Sequence, residues 1–522
     1  MPTQHIDLSA EVESEKQRRL AAARDAFDNT VAWLTETELS DQLHRVEAGL
    51  LKRLMHLGVL LLNVWVVHRL PAQVAETLRH RRGWYLFAGL VVEPVRSRFG
   101  VGYVCRPEYV LVHGEGPMKL APFDREIGLA AGRMSLGVHL IVALLVAKMP
   151  FESSHDVMGA FGGYVPATRS MHGIVDGLGP QAAQYMEDLP APDDDGEILV
   201  LECDHKGAPH MGPEEHRLRQ KKHKKRPRGL SERERRRAKR SRKRRERKKK
   251  GDKSKNARMA TIGVVYTLCR QPDGSVEGPI NRRVFGTFKG ARRLFETLKR
   301  EAVKRGYGER ETIFLADGEK QLWKLQKEFF PKATPCLDWY HLSEYLWTAG
   351  GSVHRSKSKS KAARKAAAKA LKLWVNARQD ELRADNVDEV LATLRELRTQ
   401  VALSGPGTKT RRENVDKAIT YIENHRAFMP YQTLSERGLV IGTGNIEGAA
   451  KHIGARLDGS GMRWSSERSE HVLALRCVLA SDEWDGFAEA VARAHEQRED
   501  WTVERVTPNR PMTPHKAARK AA

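Results

Sequence analysis

Between residues 197 and 341 the chain alternates short apolar runs with longer amphipathic ones, and that rhythm confines it to a sheet covered by helices. Residues 197–203, 259–270 and 282–287 read as three strands. A helix is expected over 289–305, a strand over 312–316, a helix over 319–330, a short strand over 334–337 and a helix after it. This order predicts an α/β fold: a mixed sheet with helices on its faces. The first two strands should form a hairpin whose loop carries a long insertion. Such a loop is tolerable because its closure cost grows only logarithmically with length.

Asp204 ends the first strand and Asp317 ends the fourth. Ligands of a parallel sheet sit beyond the carboxyl ends of its strands. If these two strands are neighbours, their carboxylates meet without any special loop. Glu447 opens a helix in Gly442-Thr443-Gly444-Asn445-Ile446-Glu447-Gly448 and could return a third acid to that edge. Oxygen ligands hold hard divalent cations, which clamp the attacking and leaving oxygens of phosphoryl transfer. The competing reading is that each aspartate forms a turn or caps a helix.

Other residues near these acids have two readings each. Asp338 ends the short strand, and His341 lies one turn into the next helix. The pair either supports the metal carboxylates or touches phosphate; otherwise Asp338 only caps the helix. Arg456 and Arg463 can hold phosphates bidentately. Trp464 either stacks on an unpaired base, worth roughly 1–3 kcal/mol, or packs in the core. Gly442-Thr443-Gly444 lacks the strand and the downstream acid of a dinucleotide site.

The formal net charge is +24, and it is concentrated. Between Arg217 and Lys250, 22 of 34 residues are Lys or Arg and three are Glu, so this stretch carries +19. A polycation of this density, including Lys221, Lys222, Arg235 and Arg236, condenses on a phosphate backbone by counterion release without reading sequence. The alternative is a solvated charged helix or a localisation-like patch.

The N-terminal region, residues 1–190, is expected to be mainly helical, with strand-like pieces at 84–92 and 101–105. Residues 43–70 are apolar on most faces and should be buried. Residues 151–177 read as helix, turn, helix, the second ending near Gly177. That unit either presents Arg169 and His172 to a DNA groove or is an ordinary helical hairpin. Residues 180–196 look like a linker. The five cysteines are scattered without a CxxC pair, which fits a reducing compartment. The first ten residues show no signal pattern. The apolar runs at 57–67 and 136–147 fall short of the roughly 20 residues that span a bilayer.

Four segments together resemble bacterial insertion-sequence transposases of the DDE type, in the branch akin to Mutator-like transposases. They are Phe314-Leu315-Ala316-Asp317-Gly318, Asp338-Trp339-Tyr340-His341, Gly444-Asn445-Ile446-Glu447-Gly448 and Gly461-Met462-Arg463-Trp464. The resemblance spans about residues 197–480. It implies a ribonuclease H-like core over 191–342 and 437–488, with the basic insertion at 206–258, a helical insertion at 343–436 and a basic tail at 489–522. It also implies Asp204, Asp317 and Glu447 as ligands of two Mg2+ ions, with Mn2+ as an alternative. These ions would activate water and then a DNA 3′-hydroxyl. Such enzymes often carry Gly after the first acid, whereas His205 stands here, and Glu202 is a substitute for Asp204. The implied partners are double-stranded DNA, as terminal repeats and target, and further copies of the chain assembled on it, at the nucleoid of the cytoplasm. A metal-dependent nuclease without strand transfer and a non-enzymatic DNA-binding protein are the alternatives.

Overall fold

The computed structural model of the chain describes residues 4–36, 42–212, 257–355, 360–459, 462–497 and 504–505. It divides into two compact units, residues 1–178 with 485–522, and residues 179–484.

The first unit opens with two long helices, α1 (Ser9–Glu36) and α2 (Leu43–Val67). Helices make up the larger part of it, as expected. The strand-like pieces extend into a long antiparallel pair, β1 (Gly83–Ser97) and β2 (Gly100–Gly114), at the centre of a seven-stranded sheet. Tyr85 and Tyr109 pack in one buried cluster with Ala75, Leu78 and Leu120, and Val104 packs in another with Val66 and Val67 of α2. Burial of α2 is a departure, because only Asn63, Val66 and Val67 are buried. By length and composition α2 is also the one described helix able to cross a membrane.

Helices α3 (Phe151–Phe161) and α4 (Thr168–Asp188) follow. The helix runs past the expected end at Gly177 and takes the first part of the expected linker as far as Asp188, with Pro180 within it, while 189–196 is irregular, as expected. Its last turns belong to the second unit because Glu187 there bonds Arg293, Thr297 and Arg300. At the other end, α14 (Trp484–Glu496) occupies part of the expected tail, where Phe487 and Val491 are buried.

The second unit is built on a five-stranded sheet. Its strands are β3 (Ile198–Pro209), β4 (Ala257–Arg270), β5 (Val276–Thr287), β6 (Glu311–Ala316) and β7 (Thr334–Leu337). The spatial order is β5-β4-β3-β6-β7. β4 runs antiparallel to β3 and β5, whereas β3, β6 and β7 are parallel. Ile198, Leu199, Val200 and Leu201 are all buried, as a central strand covered on both faces requires.

One face takes α5 (Ala291–Lys304), whose Phe295 packs on Phe314, and α6 (Lys320–Phe329), whose Trp323 meets Phe314 edge-on. The expected strand and helix order is therefore observed throughout 197–342. The helix α7 (Trp339–His354) leads into four further helices, α8 (Lys361–Arg383), α9 (Val387–Gln400), α10 (Thr408–His425) and α11 (Tyr431–Glu436). Val390, Leu391, Leu394 and Leu397 bury one stripe of α9 there, as their spacing predicts. The chain returns to the sheet as α12 (Gly444–Leu457) and α13 (Ser466–Ala480). Leu473 and Cys477 of α13 lie against Gly286 of β5, on the face opposite α5.

Candidate active site

Register decides where the acids fall. In the parallel ladder Cys203 pairs with Ala316, and Ala316 pairs with Leu337. The next residue along each strand is an aspartate: Asp204, Asp317 and Asp338. Successive side chains of a strand alternate faces, so all three point to the face opposite Cys203. Asp204 is not the end of its strand, as expected, because β4 continues to pair β3 as far as Pro209. It lies instead where β3 outruns β6.

Asp204 and Asp317 adjoin. Burial raises the Asp204 carboxyl above its ordinary range, and the negative charge of Asp317 raises it further. The backbone amide of His205 donates to Asp204 Oδ1 at 2.6 Å, and that of Glu319 donates to Asp317 Oδ1 at 3.0 Å. The Trp323 indole N–H holds the Asp317 carbonyl at 2.8 Å. Two like charges thus share a half-covered edge, an arrangement a cation would relieve.

Of the two readings of Asp338, the helix cap is observed. Asp338 is fully buried, and it caps α7 by accepting the His341 amide at 2.9 Å. Its Oδ2 lies 2.5 Å from His341 Nδ1, while Oδ1 accepts the Thr443 amide at 2.8 Å. Burial works to raise this carboxyl, but the bonds from His341 and Thr443 outweigh it and hold it low. The same bond pushes His341 up to about 9, so the pair is imidazolium and carboxylate. Asp204 and Asp317 add to that preference for charge on His341.

Both carboxylate oxygens of Glu202, the alternative to Asp204, are engaged within the protein. It is fully buried, and it accepts the Tyr266 hydroxyl at 2.6 Å and the Ile446 amide at 2.7 Å. Asn445 adds a side-chain bond, yet burial still drives Glu202 up to about 7. Glu202 and Asp338 therefore pin the turn from Thr443 to Ile446, immediately before Glu447. Glu447 itself is half exposed and pairs with Lys451 at 2.7 Å. Among the described residues, no three His, Cys, Asp or Glu side chains gather at metal-binding distance. The structure brings Asp204 and Asp317 together and leaves Glu447 on the first turn of the helix these supports fix.

The helical segment contributes groups that no motif marked. Tyr421 of α10 stacks on Tyr345 at 4.1 Å, and its hydroxyl is buried against the Gly318 backbone. A Cβ at Gly318 would fall 2.3 Å from the Tyr421 ring, so glycine is what lets α10 approach the Asp317 turn. His425 Nε2 lies 3.0 Å from the Gly318 carbonyl oxygen.

Several expected DNA contacts are placed otherwise. Arg456 is buried, its guanidinium 4.7 Å over the Trp464 ring, and burial pushes it down to about 10. Trp464 is buried too, and its indole N–H donates to the Leu457 carbonyl at 2.8 Å. Neither is a surface for phosphate or base, and just beyond β3 His210 forms a backbone bridge to Trp464. Arg463 beside them is half-buried. Arg169 is exposed on α4, whereas His172 packs edge-on against Phe151 at 4.3 Å and so joins the two helices. Lys221, Lys222, Arg235 and Arg236 lie outside the described residues.

Comparison with known proteins leaves this geometry to stand alone: no protein-family model matches the chain, and no curated protein matches it.

Proposed function

We propose that the chain is a metal-dependent DNA transposase of an insertion sequence, with a ribonuclease H-like core that cleaves DNA at element ends and joins them to a target. The observation that carries this reading is the register of Asp204 and Asp317 on neighbouring parallel strands. A mixed five-stranded sheet interrupted by a helical segment supports it further, as does the +19 charge of residues 217–250.

The residues suit magnesium. This ion is commonly held by one or two carboxylates with substrate phosphates completing its shell, so a preformed cage of three acids is not required. Asp204 and Asp317 would hold it, and Glu447 is the third candidate ligand. When bound, two Mg2+ ions, or Mn2+ in their place, supply charge neutralisation and a more acidic attacking oxygen. Glu202 and Asp338 fix the start of α12, which sets where Glu447 can reach. The His341 imidazolium offers a positive charge beside the carboxylates for a phosphate oxygen. The basic segment that separates β3 from β4 in the sequence would grip flanking or target DNA nonspecifically. Terminal repeats and target are the DNA partners of this reading, several copies assemble on them, and the nucleoid is where they meet.

The test is Asp317→Asn. It should abolish magnesium-dependent strand cleavage and leave DNA binding largely intact; cleavage retained by a pure sample would refute the assignment. Supplying a donor end with a free 3′-hydroxyl separates the alternatives. A nuclease yields no joined product, and a simple DNA-binding protein yields no nicks.

A further inference from the structure

An apolar surface of the first unit lies open to solvent. α1 and α2 form an antiparallel hairpin in which Trp33 packs on Gly49, where a Cβ would fall 2.7 Å from the ring. A second side of α2 rests on β2, with Val59 and Asn63 against Gly102. The third side is uncovered. Leu51, Leu54, Leu61 and Trp65 are 42, 48, 53 and 43% exposed, and on α1 Phe27, Val31 and Leu34 are 55, 44 and 39% exposed.

The spacing of these residues is three and four along each helix, the pattern of a coiled-coil seam. With 3.6 residues per turn, each stripe lies about 130° from the side its helix gives the other. In an antiparallel pair those rotations carry both stripes to one side of the hairpin, away from β2.

We infer that this side is the surface through which two copies of the chain pair, their hairpins closing a four-helix bundle. With Leu62 and Phe99 beside them, the side chains expose on the order of 700 Å² of apolar area per copy, close to the size class of stable dimers. A bilayer fits less well. Arg18, Arg24, Asp25 and Asp28 stud α1, and a bilayer that took the shared face would have to take them as well. A bundle leaves them in water. This pairing does not depend on the transposase reading, because it requires no DNA.

The experiment is sedimentation equilibrium of the full chain without DNA, in salt high enough to strip nucleic acid from the polycation. The expected mass is that of a dimer, and combined Leu54→Lys and Leu61→Lys should halve it with helix content unchanged. A monomer at every concentration, or a variant that still pairs, overturns the inference. Should the variant misfold, amide hydrogen exchange of the wild-type chain decides. Exchange in α1 and α2 slows with rising concentration if copies pair there; exchange independent of concentration overturns the pairing. Co-sedimentation of a monomeric wild type with zwitterionic or anionic vesicles would assign the face to lipid and overturn it equally.

Discussion

Asp204 and Asp317 stand one residue beyond a register pair, Cys203 and Ala316, so two carboxylates are set side by side by backbone hydrogen bonds alone. Burial and this proximity together raise Asp204. The proposed chemistry grows from that juxtaposition, and the groups around it make it testable.

Glu202→Gln probes the buried support. The folded pKa of Glu202 is raised from 4.5 to about 7. Its contribution to stability is therefore fully present below pH 4.5 and is lost as pH rises through about 7. The wild-type chain should lose on the order of 3 kcal/mol across that window from this group, while the Gln variant should be flatter. Denaturant titrations of both proteins at several pH values check it; parallel profiles would count against the assignment.

Asp338→Ala removes a helix cap and orphans the buried Thr443 amide. The expected cost is about 2–4 kcal/mol, combining the cap with an unsatisfied donor. Urea unfolding measures it. Metal-dependent cleavage should fall as well, because the turn before Glu447 is freed; a variant of unchanged stability would contradict the bond from Thr443.

Gly318→Ala should reduce cleavage by pushing Tyr421 away from the Asp317 turn. Tyr421→Ala makes room for the added methyl group. The double variant should thus be better than the sum of the single ones, with a coupling of about 0.5–3 kcal/mol. A double-mutant cycle on stability and cleavage reads this directly, and additive effects would remove the clash from the account.

Deleting residues 217–250 should weaken DNA binding and flatten its salt dependence. Each lost phosphate contact lowers the slope of log K against log salt by about 0.9. Fluorescence anisotropy with duplex DNA over a range of salt checks it. An unchanged slope would show that this segment does not touch the backbone.

Local pattern sufficed for much of the core. The run Ile198 to Cys203, the apolar strand before Asp317 and the amphipathic helices each carry their own period, so their order was readable. Where local pattern failed, distant residues had decided. The helix expected to stop near Gly177 continues to Asp188 because Glu187 finds Arg293 and Arg300 on α5. Arg456 looked like a phosphate ligand by composition, yet Trp464 covers it. Nothing in the spacing of Tyr421 or His425 marks them as neighbours of Gly318, a hundred residues earlier.

From the amino acids alone came the strand and helix order, the two strand-borne aspartates and the polycation, since periodicity, propensity and charge belong to short stretches of chain. Tertiary structure alone settled that β3 and β6 are neighbours in a register that aligns Asp204 with Asp317. It also made Glu202 and Asp338 the supports of α12 and left one side of the α1–α2 hairpin bare. Burial and register arise between residues far apart in sequence, and no local window contains both partners.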